Sequence, residues 1–230
     1  MIAALAILGA GASTRLGQDK VLADLAGQPV LAWSLAAAAA SGAFSDTIVV
    51  APQASLEQVS EAIRRAGFRV RVVPGGATRT SSSWAALDAL VDAEVIAIHD
   101  AARPFVSPDL FVRAVAAAGR DGAVAAGLPL AETVRRADEA GVTLEEVARD
   151  GLWAAQTPQA FRRDLLVQAR AAAGDRAYTD DAAAVAALGV RVVMIPGDRR
   201  NLKVTTLEDL AYARELADKG LAAMAARAAR

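Results

Sequence analysis

Four short segments carry side chains that could handle a phosphate. Leu8-Gly9-Ala10-Gly11-Ala12-Ser13-Thr14-Arg15-Leu16-Gly17-Gln18-Asp19-Lys20 strings small residues ahead of two cations. Small side chains let backbone N–H groups approach an anion, and Arg15 and Lys20 add positive charge within the same loop. The spacing satisfies neither a dinucleotide fingerprint, since Gly9-x-Gly11 lacks the third glycine, nor a P-loop. An ordinary tight turn with solvated charges accounts for the segment as well as an anion cradle does. Pro74-Gly75-Gly76-Ala77-Thr78-Arg79-Thr80-Ser81-Ser82-Ser83 is a second small-residue loop opening a helix, and taken alone it reads first as a Ser-rich N-cap. His99-Asp100-Ala101-Ala102-Arg103-Pro104 puts an acid where a strand ends, a place suited to a Mg²⁺ ligand or an orienting carboxylate. His99 reads as a structural histidine. Asn201-Leu202-Lys203-Val204-Thr205 places a lysine in a short apolar strand where packing gives no reason for one, so function is the better account.

These segments need a scaffold that brings them to one edge. Short apolar runs at 3–8, 47–51, 70–73, 95–99, 122–128 and 191–195 alternate with helical patterns at 29–40, 56–66, 81–90, 108–118, 163–173, 180–188 and 207–225. Such alternation predicts an α/β fold, with parallel strands joined by right-handed crossovers in a doubly wound sheet. In that architecture ligands bind outside the carboxyl ends of the strands, where the segments above fall. Ser107-Pro108 fits an N-cap followed by Pro at the first helical position, and Thr205-Thr206-Leu207-Glu208 fits a capping box. Residues 131–156 break the rhythm, with polar runs flanking the turn-like Asp138-Glu139-Ala140-Gly141, and predict a β-hairpin arm projecting from the sheet. One domain over 1–230, with an arm at about 131–156, is the simplest organisation.

Composition removes several kinds of chemistry. The 230 residues are 54% hydrophobic and carry 25 Lys+Arg against 26 Asp+Glu, a net charge of -1. Dominant disorder is excluded, and no chain-wide basic surface suggests a nucleic-acid partner. With no Cys and one His there is no thiolate nucleophile, disulfide or multi-His metal centre, so any metal must be a hard, oxygen-ligated ion such as Mg²⁺. No stretch reaches the roughly 18 apolar residues of a membrane span, the richest run being 30–40, and the apolar start has no basic residue ahead of it, so the expected setting is the cytoplasm, away from membranes. The only lysines are Lys20, Lys203 and Lys219, in a chain otherwise supplied with arginine.

Five motifs occur in the order found in 2-C-methyl-D-erythritol 4-phosphate cytidylyltransferases: His99-Asp100-Ala101-Ala102-Arg103-Pro104, Arg149-Asp150-Gly151-Leu152-Trp153, Gln156-Thr157-Pro158-Gln159, Thr179-Asp180-Asp181 and Lys203-Val204-Thr205. The chain resembles that family over nearly its whole length. The resemblance implies a Rossmann-like nucleotidyltransferase fold, with a mostly parallel twisted sheet and a protruding β-hairpin arm. It implies transfer of a cytidylyl group from CTP to a sugar-alcohol phosphate, with release of pyrophosphate and Mg²⁺ as cofactor, in non-mevalonate isoprenoid biosynthesis. Residue by residue it assigns catalysis to Arg15, Lys20, Lys203 and Asp100, with Asp100 also at the metal. It assigns nucleotide binding to Ala10, Gly11, Gly76, Ala77, Ser82 and Ala101. Arg103, Thr133 and Arg149 are implied at the acceptor, the last two reaching across a homodimer interface formed by the arm. Ser13 and Gly17-x-Asp19-Lys20 are more similar to molybdenum cofactor nucleotidyltransferases. That class, ribitol 5-phosphate cytidylyltransferase and a non-catalytic nucleotide sensor are the other readings.

Overall fold

The structure, a computed structural model, describes residues 1–9 and 21–228, with side chains described to residue 220. In chain order its elements are β1 (Ala3–Leu8), the short strands β2 (Asp24–Leu25) and β3 (Gln28–Pro29), α1 (Val30–Ser41), β4 (Asp46–Ala51), α2 (Leu56–Arg65), β5 (Arg71–Pro74) and α3 (Arg79–Ala89). There follow β6 (Val95–Asp100), α4 (Pro108–Asp121), β7 (Ala123–Pro129), β8 (Val134–Ala137), β9 (Thr143–Val147), β10 (Trp153–Arg162), α5 (Arg163–Ala173), α6 (Asp181–Ala186), β11 (Val193–Pro196) and α7 (Leu207–Ala228).

Seven strands form the main sheet in the order β11-β7-β10-β6-β1-β4-β5. Its pairings are parallel except those of β10, which runs antiparallel to both β6 and β7. All six residues of β1 are buried, because helices cover both faces. Strand periodicity divides them. Ala3, Leu5 and Ile7 join the cluster of Leu31 and Leu35 of α1, Ile63 of α2 and Phe111 of α4, whereas Ala4, Ala6 and Leu8 join that of Leu87 of α3, Leu166 of α5 and Val185 of α6. Truncating Leu5, fully buried at the centre, to alanine would cost ~2–5 kcal/mol. A third cluster packs Leu210, Ala213 and Ala217 of α7 against Leu25, Val30 and Val204, which anchors the segment carrying Lys203.

The winding fixes where a ligand can sit. From β1 the chain passes outward to β4 and β5, then returns to lay β6 on the other side of β1. Strand order therefore reverses between β1 and β6, whose register ends in the pair Leu8 and Asp100. The crevice beyond those two residues is the topological switch point, the usual ligand position in an open α/β sheet.

The structure departs from the sequence reading at four places. β10, a ten-residue strand in the middle of the sheet, was not expected, because Gln156, Thr157 and Pro158 argue against an interior strand. The sheet tolerates the proline at a register break between Ala155 and Gln159. The paired part of the arm is β8 and β9, a two-stranded sheet closed by Asp138, whose Oδ1 accepts from the N–H groups of Ala140 and Val142. Residues 153–156, expected in the arm, belong to β10. Lys203 lies in a segment outside any strand or helix. The capping box of α7 is shifted by one residue: Thr206 Oγ1 accepts from Asp209 N–H and Asp209 Oδ2 accepts from Thr206 N–H, while the Ser107 cap of α4 is as expected. Among the described residues no helix is long and apolar enough to cross a membrane.

Candidate active site

Asp100, the last residue of β6, is the centre of a charge cluster at the switch point. Lys203 Nζ is 2.8 Å from its Oδ2, and Arg103 Nε is 3.8 Å from the same oxygen. Arg79, at the start of α3, approaches Oδ1 through Nε at 3.3 Å and Nη2 at 3.4 Å. Its Nη1 donates to Oδ2 of Asp181, the first residue of α6, at 2.7 Å. Three cations thus face two carboxylates, leaving one positive charge in excess for an anionic ligand. Access is graded: the Lys203 side chain is 38% exposed and that of Arg79 25%, but that of Asp181 only 3%. Lys203 is therefore the cation freest to exchange its partner.

The electrostatics follow from this crowding. Burial alone would raise the Asp100 pKa, but Arg79, Lys203 and Arg103 outweigh it and hold the carboxyl well below the usual range. Burial would likewise lower that of Arg79, yet Asp181 and Asp100 together lift it above its ordinary value. At Asp181 burial prevails over the contacts with Arg79 and Ser83, and the pKa rises. Asp100 is the anion fixed by its neighbours, and Asp181 the buried acid that holds Arg79.

His99 is a supporting group, in keeping with its structural reading. It is fully buried, with Nε2 3.2 Å from Arg103 O and Nδ1 3.0 Å from Thr157 Oγ1. A carbonyl oxygen only accepts, so Nε2 carries the hydrogen; in the neutral ring Nδ1 must then accept from the Thr157 hydroxyl. That hydroxyl in turn accepts from Asp100 N–H at 3.0 Å, beyond the last β6–β10 pair, Ile98 with Gln159. Burial pushes the imidazole pKa down to about 4, against the opposing pull of Asp100. The unfolded chain protonates near pH 6.5 and the folded chain only near 4, so stability should fall as pH drops between those values, by ~3 kcal/mol. Urea midpoints of the wild type and His99→Gln at pH 7.5 and 4.5 check this: the wild type should lose more on acidification. Equal losses would reject the assignment.

The remaining expected site residues fall into four groups. Ala10, Gly11, Arg15 and Lys20 lie outside the described residues. Gly76 and Ala77 lie in the loop after β5 and Ser82 in the first turn of α3, and a Cβ on Gly76 would collide with Ser81 Oγ, so only glycine fits. Ser82 Oγ accepts from Gly76 N–H at 3.2 Å and donates to Thr78 O at 2.8 Å, which commits its hydroxyl to shaping the loop. Ala101 is fully buried and donates its N–H to Leu8 O, while Gly9, next to Leu8, donates to Val50 O. Thr133 and Arg149 stand apart on the arm, lining a recess of about 210 Å³ with Val134, Glu146 and Val147, and Arg149 donates to Ala131 O. Within this one chain, Arg103 and Lys203 meet Asp100, whereas Thr133 and Arg149 are not among the residues contacting it.

Sequence reasoning missed Arg79, Asp181 and Thr157 as members of the site. Arg79 was hidden in a loop read as a Ser-rich cap, although an arginine within that cap was a usable signal. Asp181 and Thr157 belonged to recognised motifs without an assigned task.

A doubly wound sheet whose switch point gathers cations around one fixed carboxylate, beside the small-residue loop after β5, is the arrangement of a nucleotidyltransferase fold, which its structural neighbours share. The family model of 2-C-methyl-D-erythritol 4-phosphate cytidylyltransferase matches residues 1–218, and the chain belongs to that family. The 2-C-methyl-D-erythritol 4-phosphate cytidylyltransferase of Deinococcus radiodurans is 45% identical over 213 residues, 91% of this chain and 87% of that one. A bifunctional enzyme IspD/IspF of Anaeromyxobacter sp. strain Fw109-5 is 40% identical over 94% of this chain, which spans only 58% of that relative's length. The crystal structure of the cytidylyltransferase from Thermus thermophilus superimposes with a TM-score of 0.78 at 31% identity, covering 95% of this chain and 100% of that one.

Proposed function

We propose that the protein transfers a cytidylyl group from CTP to 2-C-methyl-D-erythritol 4-phosphate in the cytoplasm, releasing pyrophosphate. The observation that carries this reading is the convergence of Arg79, Arg103 and Lys203 on Asp100 at the switch point of a chain in this family. An oxygen of the acceptor phosphate attacks the α-phosphorus in line, and the bond to the leaving pyrophosphate breaks. Negative charge gathers on the five-coordinate centre and on the leaving group, so the reaction needs fixed positive charge and alignment, with no covalent enzyme intermediate. Lys203, Arg15 and Lys20 supply that charge. Asp100 keeps Lys203 in place until phosphate competes for the ammonium. Ala10, Gly11, Gly76, Ala77, Ser82 and Ala101 hold the nucleotide, largely through backbone groups.

The residues present suit Mg²⁺ delivered with the nucleotide better than a protein-caged metal. Among the described residues no group of three His, Cys, Asp or Glu side chains could hold an ion. Mg²⁺ commonly takes one or two carboxylates and completes its shell with substrate phosphate and water, and Asp100 is a hard carboxylate at the crevice. Asp100 would hold the ion, which when bound neutralises charge on the phosphates.

Arg103 lies behind Asp100 and donates through Nη1 to Asn201 O at 2.8 Å, at the inner wall of the acceptor site. Thr133 and Arg149 complete that site from the neighbouring subunit of a homodimer. An isolated two-stranded sheet is marginal in water, and Val142 and Leu144 on the arm are 60% and 62% exposed, which supports a second copy packed there.

The test is pyrophosphate release from CTP, GTP, ATP and UTP, each with methylerythritol phosphate or ribitol phosphate, with and without Mg²⁺. Release should require CTP, methylerythritol phosphate and the metal together. Strong GTP preference would overturn the base assignment. Ser82→Ala should raise KM for CTP about fivefold or less, the ~1 kcal/mol of one neutral hydrogen bond, since its hydroxyl shapes the loop rather than reading the base. A hundredfold rise in a titration series would assign the hydroxyl to the base itself.

A further inference from the structure

The segment Gln156-Thr157-Pro158-Gln159 takes no direct part in the chemistry above, yet its polar side chains reach both walls of the Asp100 cluster. Gln156 Oε1 accepts from Asp198 N–H at 3.2 Å and from Asn201 Nδ2 at 3.3 Å, and its Nε2 donates to Asp198 O at 2.9 Å. Asn201, fully buried two residues before Lys203, also donates to Thr157 O at 2.7 Å. Immediately after Lys203, Val204 N–H donates to Ala102 O at 2.8 Å. The backbone of Lys203 is thereby pinned on both sides. Gly197 leaves the space this requires, since a Cβ there would collide with Gln156 Oε1. At the other end, Gln159 Nε2 donates to Asp180 Oδ2 at 2.8 Å and its Oε1 accepts from Ala182 N–H at 2.9 Å. Those two residues bracket Asp181, the partner of Arg79.

We propose that Gln156 and Gln159 are positioning residues that set Lys203 and Arg79, respectively, against the two oxygens of Asp100. The proposal rests on the cytidylyl-transfer reading, in which the Lys203 ammonium meets phosphate. A lysine side chain is long and flexible, so its reach is only as well defined as its backbone anchor and its resting contact. An ångström of misplacement at a reacting centre can cost about a hundredfold in rate. A purely structural pair of buried amides would instead lower stability and leave the turnover of the folded molecules unchanged.

Double-mutant cycles separate the two accounts. Gln156→Met should lower kcat about tenfold with KM for CTP changed less than about twofold, and Gly197→Ala, which displaces the same amide from outside, should act alike. In a Lys203→Met background, adding Gln156→Met should change kcat by less than about twofold, whereas Gln159→Met, acting on the other oxygen, keeps its full effect. If Gln156→Met does not fold, Gln156→Glu and Gly197→Ala enter the same cycle. Effects of Gln156 that multiply with Lys203→Met, or reduced thermal stability with unchanged kcat, would overturn the proposal and leave the cytidylyl-transfer reading intact. A silent Lys203→Met would overturn both.

Discussion

Replacing Lys203 or Lys20 by alanine should lower kcat at least about a hundredfold, while circular dichroism and thermal unfolding should stay close to wild type. The size follows from the kind of stabilisation removed. A single fixed donor aimed at developing negative charge contributes ~2.7–4 kcal/mol in related anionic transition states, a factor of a hundred or more. The fold should survive at Lys203, because Asp100 retains Arg79 on one oxygen and Arg103 near the other. Its side chain is also 38% exposed, so its ion pair adds little to stability after solvent screening. Lys219 serves as the control. It is largely exposed and 3.8 Å from Glu215 one turn away, a surface pair whose loss should be silent. Unchanged kcat in both variants, with native spectra, would remove the proposed phosphate roles.

What the sequence disclosed, and what it withheld, depended on how far each contact lies along the chain. β1, β4 and β6 are continuous apolar runs closed by turn residues, and they were legible because burial on both faces imposes one pattern. His99 was legible as structural because it interrupts such a run at its end. β10 was not, since its polar residues are satisfied by groups remote in sequence: Gln156 by residue 198, Gln159 by residue 180, Thr157 by residue 100. Arg79 poses the same difficulty, with one carboxylate partner 21 residues away and the other 102. Lys203 was misplaced in a strand because Leu202 and Val204 imitate period-two alternation, although Val204 packs with α7 instead of a sheet. Its task was nonetheless readable, since a lysine there answers to no packing need. The first loop shows the opposite case: its composition was suggestive, yet composition alone could not separate an anion cradle from a tight turn.

The acceptor site should prove to be shared between subunits. Thr133 and Arg149 line a recess on the arm, and within one chain Arg149 is satisfied by Ala131 O rather than by any member of the Asp100 cluster. An exposed guanidinium held by a single carbonyl is easily redirected to a phosphate from a second copy of the chain. The decisive measurement co-expresses differently tagged Lys203→Ala and Arg149→Ala chains and purifies the heterodimer. Each mutant homodimer should be about a hundredfold impaired, because every site in it lacks one phosphate-contacting cation. If Arg149 serves the neighbouring subunit, one site of the heterodimer carries both lesions and the other carries none. Activity should then return to about half the wild-type value per dimer, provided the two sites act independently. If Arg149 serves its own chain, each site keeps one lesion, and the heterodimer should be as inactive as its parents. Activity at that parental level would reject the shared site and confine Arg149 to the subunit that carries it.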